Sequence, residues 1–234
     1  MAFQREPAMP ELKRPPWIWV WLMLATFLVS LAGVGMAWEH IPDPFPSHWN
    51  ASGEADAFMD KTWPNLIFMF GLVSLILALV VAGTFAFMHQ HAKHQRGEDW
   101  KIARTRAMTN TMLNPLGMWM FILNAIIVVS IFMSVTTDYS GLGLDMVAIL
   151  VVVVMLIFTM AKNQQWVDKH YPDPEISQYM KWGIFYYNPD NPNMMVHTDF
   201  NSTFNMAHKG GQIAMIGLLG FPIVLIIGLI TIGL

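Results

Sequence analysis

Five long apolar segments constrain this chain more than any other feature of its sequence. A membrane-spanning helix needs about 20 mostly apolar residues, because the hydrocarbon layer is about 30 Å thick. Charged residues make up only 12% of the 234 positions, whereas soluble domains carry about 25%. The segments cover residues 17–38, 63–88, 108–135, 144–161 and 211–234. The sequence therefore predicts an all-α membrane protein, a bundle of about five transmembrane helices.

Lys and Arg are distributed unevenly over the connections between these segments. Cytoplasmic connections retain positive charge, and twelve of the thirteen Lys and Arg lie on one side of the predicted membrane. We therefore expect a cytoplasmic N-terminus and a C-terminus outside. The resulting organisation is a cytoplasmic tail at 1–16, a helix pair at 17–88 with an outer loop at 39–62, a basic cytoplasmic loop at 89–107, a second helix pair at 108–161, a cytoplasmic segment rich in aromatic and turn residues at 162–210, and a last helix at 211–234.

Composition narrows the chemistry that the chain can carry. The absence of cysteine excludes disulfides, thiolate metal sites and cysteine nucleophiles. A net charge of −3 gives no electrostatic reason to expect a nucleic-acid partner. The predicted spans hold no deeply placed ionisable residue of the kind that marks ion pathways, and the 20 methionines suit packing between helices. We therefore favour a protein that is not an enzyme and whose spans form an uncharged scaffold.

Three groups of residues predict how the helices pack. The second span carries small residues at intervals of three and four, which lets another helix approach one face: Gly71, Ser74, Ala78 and Ala82. For Asn110, Asn114 and Asn124 in the third span we expect interhelical hydrogen bonds rather than substrate binding. The basic residues of the 89–107 connection are expected to face anionic lipid headgroups: Lys93, Arg96, Lys101, Arg104 and Arg106.

The connection at 39–62 has an unusual composition. Prolines at 42, 44 and 46 favour an extended path, and Asn50 to Gly53 suits a turn, so that His48 and Trp49 are presented on the outer face. A divalent metal is one possible occupant, because imidazole and carboxylate are suitable ligands; the candidates are His40, Asp43, His48 and Asp56. The alternative is that His48 and Asp56 hold the loop in shape through hydrogen bonds.

Several of these residues resemble the signature of SdpI-type bacterial membrane proteins, over the first two spans and their connection. The resemblance implies a ligand-binding or loop-structuring role for Pro42, Pro46, His48, Trp49, Asn50, Gly53, Asp56 and Lys61. It also implies a multi-pass protein of the bacterial cytoplasmic (inner) membrane. SdpI proteins are implicated in immunity to a secreted toxic peptide and in sequestration of a repressor at the membrane.

A second motif lies in the cytoplasmic segment. Residues 181–192 resemble a W-K-x-G-x-F-Y-Y-N-P-D-D-P pattern of bacterial membrane proteins of unknown function, and Phe204 to Ala207 fits the end of that pattern. SdpI itself carries a different motif in this region. We predict partner-binding residues at Trp182, Phe185, Tyr186, Tyr187 and Asn188. The alternative is that this aromatic block folds back onto the bundle or anchors it at the membrane surface.

Three functional hypotheses follow. The first is a non-enzymatic sensor or immunity protein, whose outer loop binds a secreted peptide or envelope ligand and whose cytoplasmic segment couples to a protein partner. The second is an accessory subunit packed among the other subunits of a larger membrane complex. The third is a metal-dependent enzyme. Lipid is the expected partner of the spans in each case, and no cofactor is predicted beyond a possible metal at the outer loop.

Overall fold

The part of the chain that the computed structural model describes, residues 8–50, 53–137, 142–197, 202–218 and 220, is mostly helical. Its long helices are α1 (Ile18–Met36), α2 (Trp63–His94), α3 (Asp99–Thr136) and α4 (Leu142–His170). Short 3-10 helices lie at Trp38–His40 and Ser177–Tyr179. Three antiparallel two-stranded sheets pair β1 (Phe45–Trp49) with β2 (Ala55–Met59), β3 (Met180–Lys181) with β4 (Phe185–Tyr186), and β5 (Met195–His197) with β6 (Ser202–Phe204).

Within the described residues, four helices are long and apolar enough to cross a membrane, which confirms the predicted all-α membrane fold. They are α1, α2, α3 and the part of α4 from Leu144 to His170. The fifth predicted span, 211–234, lies mostly outside the described residues, although 209–218 are helical. The number of spans and their orientation therefore stay predictions.

The helices extend beyond the apolar segments that predicted them. Helix α2 continues to His94 and α3 begins at Asp99, so only residues 95–98 of the expected basic loop 89–107 are non-helical. Helix α4 likewise continues to His170. Hydropathy marks where apolar side chains stop, whereas a helix ends where its backbone hydrogen bonds stop, and polar residues such as Lys and Gln propagate a helix well.

The chain packs as two compact units. We call the first, made of the described residues within 16–84 and 116–156, the span unit. We call the second, made of the described residues within 8–15, 85–115 and 157–220, the base unit.

The core of the span unit joins the first three helices to their first connection. Its buried members are Val34, Ile41, Phe45, Leu66, Phe70, Val128 and Val135. The predicted close approach on α2 is confirmed at Gly71, where a Cβ would lie 3.1 Å from the ring of Phe27 on α1. Because Ile41 and Phe45 belong to this core, the connection at 39–62 is anchored to the helices rather than hanging free of them.

The core of the base unit is rich in methionine. Met108, Met112 and Val167 are its buried cluster, and Met88 and Met160 pack against it. These flexible thioethers fill the spaces between α2, α3 and α4, as the composition predicts.

Arg104 occupies the base unit in a way that the sequence did not predict. Its side chain is only 2% exposed. One guanidinium nitrogen donates to Asp168 Oδ1 over 2.8 Å, and the other donates to the carbonyl of Tyr171 over 2.7 Å and to Ser177 Oγ over 3.3 Å. The expectation that Arg104 faces lipid headgroups is therefore wrong, because α3 already includes this position and turns the side chain toward α4.

Two of the three asparagines of α3, Asn110 and Asn124, also depart from expectation. Asn110 holds the extended N-terminal tail: its Oδ1 accepts from the backbone N–H of Lys13 over 2.9 Å, and its Nδ2 donates to the carbonyl of Glu11 over 2.8 Å. Asn124 is completely buried in the span unit, and its amide finds no partner among the described residues. Neither makes the predicted interhelical hydrogen bond.

Candidate functional site

Strands β1 and β2 form a hairpin, here called the first hairpin, that is anchored at one end and exposed at the other. Phe45 pairs with Met59 at the anchored end, where Phe45 is fully buried and Met59 packs against the same core. Trp49 pairs with Ala55 at the exposed end. The register shifts on either side of His48: it skips Ser47 in β1 and Asp56 in β2, and such irregularities re-aim side chains.

His48 and Asp56 form the polar centre of this hairpin. His48 Nδ1 lies 2.6 Å from Asp56 Oδ1 across the two strands. The side chains are 62% and 41% exposed, so solvent and ligands reach both of them. A pair this exposed contributes little to stability. Because both side chains face solvent, their remaining polar atoms are available for recognition.

Asn50 and Gly53 shape the turn of the first hairpin. The Oδ1 atom of Asn50 accepts from the N–H of Glu54 over 3.0 Å, and its backbone carbonyl accepts from the N–H of Gly53 over 2.9 Å. Gly53 has a φ of 82°, a left-handed conformation that suits glycine. Residues 51 and 52 lie outside the described part of the chain. These two members of the signature hold the loop in shape.

Lys61 closes the connection onto α1 and α2. Its Nζ donates to the carbonyl of Ile41 over 3.0 Å and to that of Trp38 over 3.4 Å, and it lies 5.6 Å from the centre of the Trp38 ring. The backbone N–H of Lys61 donates to Asp43 Oδ1. The Trp38 ring stacks in turn on Trp63 at the start of α2, with 4.9 Å between ring centres.

Replacing Lys61 by methionine is therefore expected to loosen the connection. Methionine keeps the aliphatic stem but removes a charged donor from two carbonyls, at a cost of about 1–3 kcal/mol. The melting temperature in detergent should fall by about 2–8 °C. The matched control is Lys93→Met, at an exposed position on α2, which should leave Tm unchanged. Equal melting temperatures for the two variants would contradict the role assigned to Lys61.

The other members of the signature occupy different parts of the connection. Pro42 is exposed, whereas Pro46 and Trp49 are half-buried on β1. The structure does not join His40 or Asp43 to the His48–Asp56 pair, and among the described residues no three His, Asp or Glu side chains gather in a way that can hold a metal. The metal site therefore stays a prediction without a third ligand.

The second motif folds into what we call the aromatic segment, residues 171–208. Its first turn connects β3 and β4 through Trp182 and Gly183, whose φ angles of 55° and 72° are both positive, as type I′ turns require. A Cβ on Gly183 would lie 2.3 Å from the carbonyl oxygen of Ala161 on α4. Gln165, one turn further along α4, donates to the carbonyl of Trp182 over 2.7 Å. Glycine at 183 thus meets both a conformational and a steric requirement.

Asn205 is the centre of the aromatic segment. It is completely buried, and its Oδ1 accepts from the N–H groups of Asn188 and Ala207. Its Nδ2 lies within 3.4 Å of three carbonyl oxygens, those of Asn188, Asn191 and Asn193. One amide side chain therefore ties the ends of the motif together, in agreement with the sequence pattern that included both.

The five predicted partner-binding residues have different environments. Tyr186 and Asn188 are buried, at 2% and 7% exposure, and Asn188 Nδ2 donates to the hydroxyl of Tyr186 over 3.1 Å. Phe185 is half-buried and meets the ring of Trp182 edge-on. Trp182 and Tyr187 are exposed. Only the last two present large surfaces to a partner.

Comparison with known proteins adds a family match to one part of the chain. A family described as a domain of unknown function, DUF1648, matches residues 21–74. The match includes most of α1, the whole first hairpin and the beginning of α2, whereas the aromatic segment lies outside it. No curated protein and no solved structure matches the chain.

Proposed function

We propose that this chain is a non-enzymatic bacterial membrane protein of SdpI type, whose first hairpin recognises a secreted peptide or another extended envelope ligand. The observation that carries the proposal is the exposed His48–Asp56 pair on a two-stranded sheet. Phe58, which is 54% exposed, lies two residues from Asp56 on β2 and adds apolar surface beside the pair.

This surface has the chemistry that an extended peptide needs. A two-stranded sheet leaves the outer edges of both strands able to pair with a third strand. The exposed His48 ring and Asp56 carboxylate offer polar atoms to the ligand's polar groups, and Phe58 offers apolar contact. Asn50, Gly53 and Lys61 fix the shape of the hairpin, so the surface exists before the ligand arrives and less ordering is needed on binding.

The placement of the two motifs supports a protein that connects the two sides of the membrane. We infer from the Lys and Arg distribution that the connection at 39–62 lies outside the cytoplasmic membrane and that the aromatic segment lies in the cytoplasm. A cytoplasmic partner of the aromatic segment would contact Tyr187 rather than Tyr186 or Asn188, since the latter two are buried.

The test is protection of living cells by variants of the hairpin. Cells lacking this gene would receive the wild-type protein, His48→Ala or Asp56→Ala and be challenged with medium conditioned by the source strain, which contains its secreted peptides. We expect the wild type to protect and either variant to raise sensitivity at least about tenfold, the loss expected for a charge-assisted contact. Glu54→Ala, an exposed change in the same turn, is the control. Full protection by both variants at normal membrane levels would refute the proposal.

A second candidate function, an accessory subunit of a larger complex, is favoured by the surface of α4. Only 11% of its most apolar stretch is buried, against 33% for α2. Leu144, Leu150, Val151 and Ile157 are all more than half exposed. Native mass measurement after extraction in mild detergent separates the candidates: a stable complex with other chains favours the subunit, and a protein of one chain type favours the sensor.

A further inference from the structure

The turn between β3 and β4 is held against one level of α4. Gly183 packs its backbone on the carbonyl of Ala161, and Gln165 donates to the carbonyl of Trp182. Both partners lie on α4 within about 6 Å of each other along the helix axis. The position of the turn relative to α4 is therefore fixed by backbone atoms.

That level of α4 has the features of a membrane boundary. The apolar run of α4 ends at Ala161, and Lys162 follows directly. The Lys162 ammonium lies 4.6 Å from the centre of the Phe158 ring, where its stem runs along apolar surface, as lysines do near the ends of membrane helices. Trp166, one turn further, is 44% exposed and stacks on His170. Tryptophan is enriched where hydrocarbon gives way to headgroups.

The backbone of Trp182 lies at this same level, beside Gln165 of α4. The residue is 75% exposed, and its φ of 55° is an uncommon conformation for a bulky residue. Asparagine, aspartate or glycine would form the turn with less strain. Trp182 thus combines a large exposed apolar ring with an unfavourable backbone conformation. Such a combination indicates that the side chain itself has a function.

We propose that the β3–β4 turn is a membrane-surface anchor, with the Trp182 indole seated in the headgroup layer of the leaflet in which α4 ends. An indole suits this layer because its ring meets the acyl boundary while its N–H stays near water. Ile184, which is 38% exposed, adds apolar surface beside it, and the exposed Lys181 faces the phosphates. The anchor fixes the aromatic segment to the bilayer independently of any peptide bound at the first hairpin.

The absence of cysteine from the chain allows a direct test. Trp182→Cys in the full-length protein would carry an NBD fluorophore, and the labelled protein would be reconstituted into vesicles of phosphatidylcholine and phosphatidylglycerol. We expect lipid with a doxyl group near its headgroup to quench the fluorophore at position 182 at least about three times as strongly as at the control position Asp190→Cys. Aqueous iodide should quench the fluorophore at 182 correspondingly less. Asp190 is exposed in the next turn of the same segment.

Ile184→Cys provides a second reporter if the change at 182 prevents folding. The proposal is overturned if, at whichever of these positions yields folded protein, iodide quenches as strongly as at position 190 and the doxyl lipid has no effect. Trp182 would then be a contact for a protein partner. Quenching by the shallow doxyl lipid in phosphatidylcholine alone would show an anchor that needs no anionic headgroup. It would still support the seat in the headgroup layer.

Discussion

Replacing Arg104 by alanine is expected to lower the free energy of unfolding by about 3–5 kcal/mol, because it leaves the Asp168 carboxylate with no guanidinium beside it in a buried site. The carbonyl of Tyr171 loses a donor as well, and the hydroxyl of Ser177 keeps only the N–H of Asp173. In detergent, the melting temperature followed by tryptophan fluorescence should fall by about 6–20 °C. This is a larger effect than any that we expect from the exposed His48–Asp56 pair.

Two further variants show whether the effect comes from an uncompensated charge. Removing both charges with Arg104→Met and Asp168→Leu should recover much of the loss, because a buried pair is often replaceable by apolar residues of similar volume. Arg96→Ala, at an exposed position between α2 and α3, should not change Tm. If the double variant is no more stable than Arg104→Ala, the stabilisation lies in contacts other than the ion pair.

Replacing Asn205 by alanine is expected to unfold the aromatic segment while leaving the long helices intact. The change removes one acceptor from two buried N–H groups and one amide donor from nearby carbonyls, and each orphaned group costs about 1–3 kcal/mol. Chymotrypsin should then cut at Tyr186 and Tyr187 about 10–100 times faster than in the wild type, since cleavage follows the population of the open form.

Asn193→Ala is the matched control, because this asparagine of the same segment is exposed and offers Asn205 only its backbone carbonyl. Its cleavage rate should equal that of the wild type. Circular dichroism should show unchanged helix content for both variants. Equal cleavage rates for the two variants would contradict the central role assigned to Asn205.

The apolar helices were predictable because hydropathy is a local property. Within the described residues, four such helices correspond to four of the five predicted segments. The turn at Asn50–Gly53 was also predictable, since its hydrogen bonds lie within a few residues of each other. Arg104 was not predictable in the same way. Its partners lie more than 60 residues away, and a count of loop charges treats a buried guanidinium and a solvated one alike.

The aromatic segment was only partly predictable from the sequence. The sequence pattern placed Trp182 to Asn188 and Phe204 to Ala207 in one motif but gave no reason for their association. The structure supplies the reason in Asn205, whose amide joins the two parts. The sequence could not separate Tyr186 from Tyr187, because neighbouring residues on a strand point to opposite faces and only the fold decides which face is buried.

The contact between Asn110 and the N-terminal tail sets an order of events during synthesis. The backbone groups of Glu11 and Lys13 leave the ribosome long before the amide that pairs with them, which lies 97 residues after Lys13. The tail therefore has no docking site until two spans and part of a third have been made. Docking of the tail thus waits for the start of α3 and reports that this helix is in place.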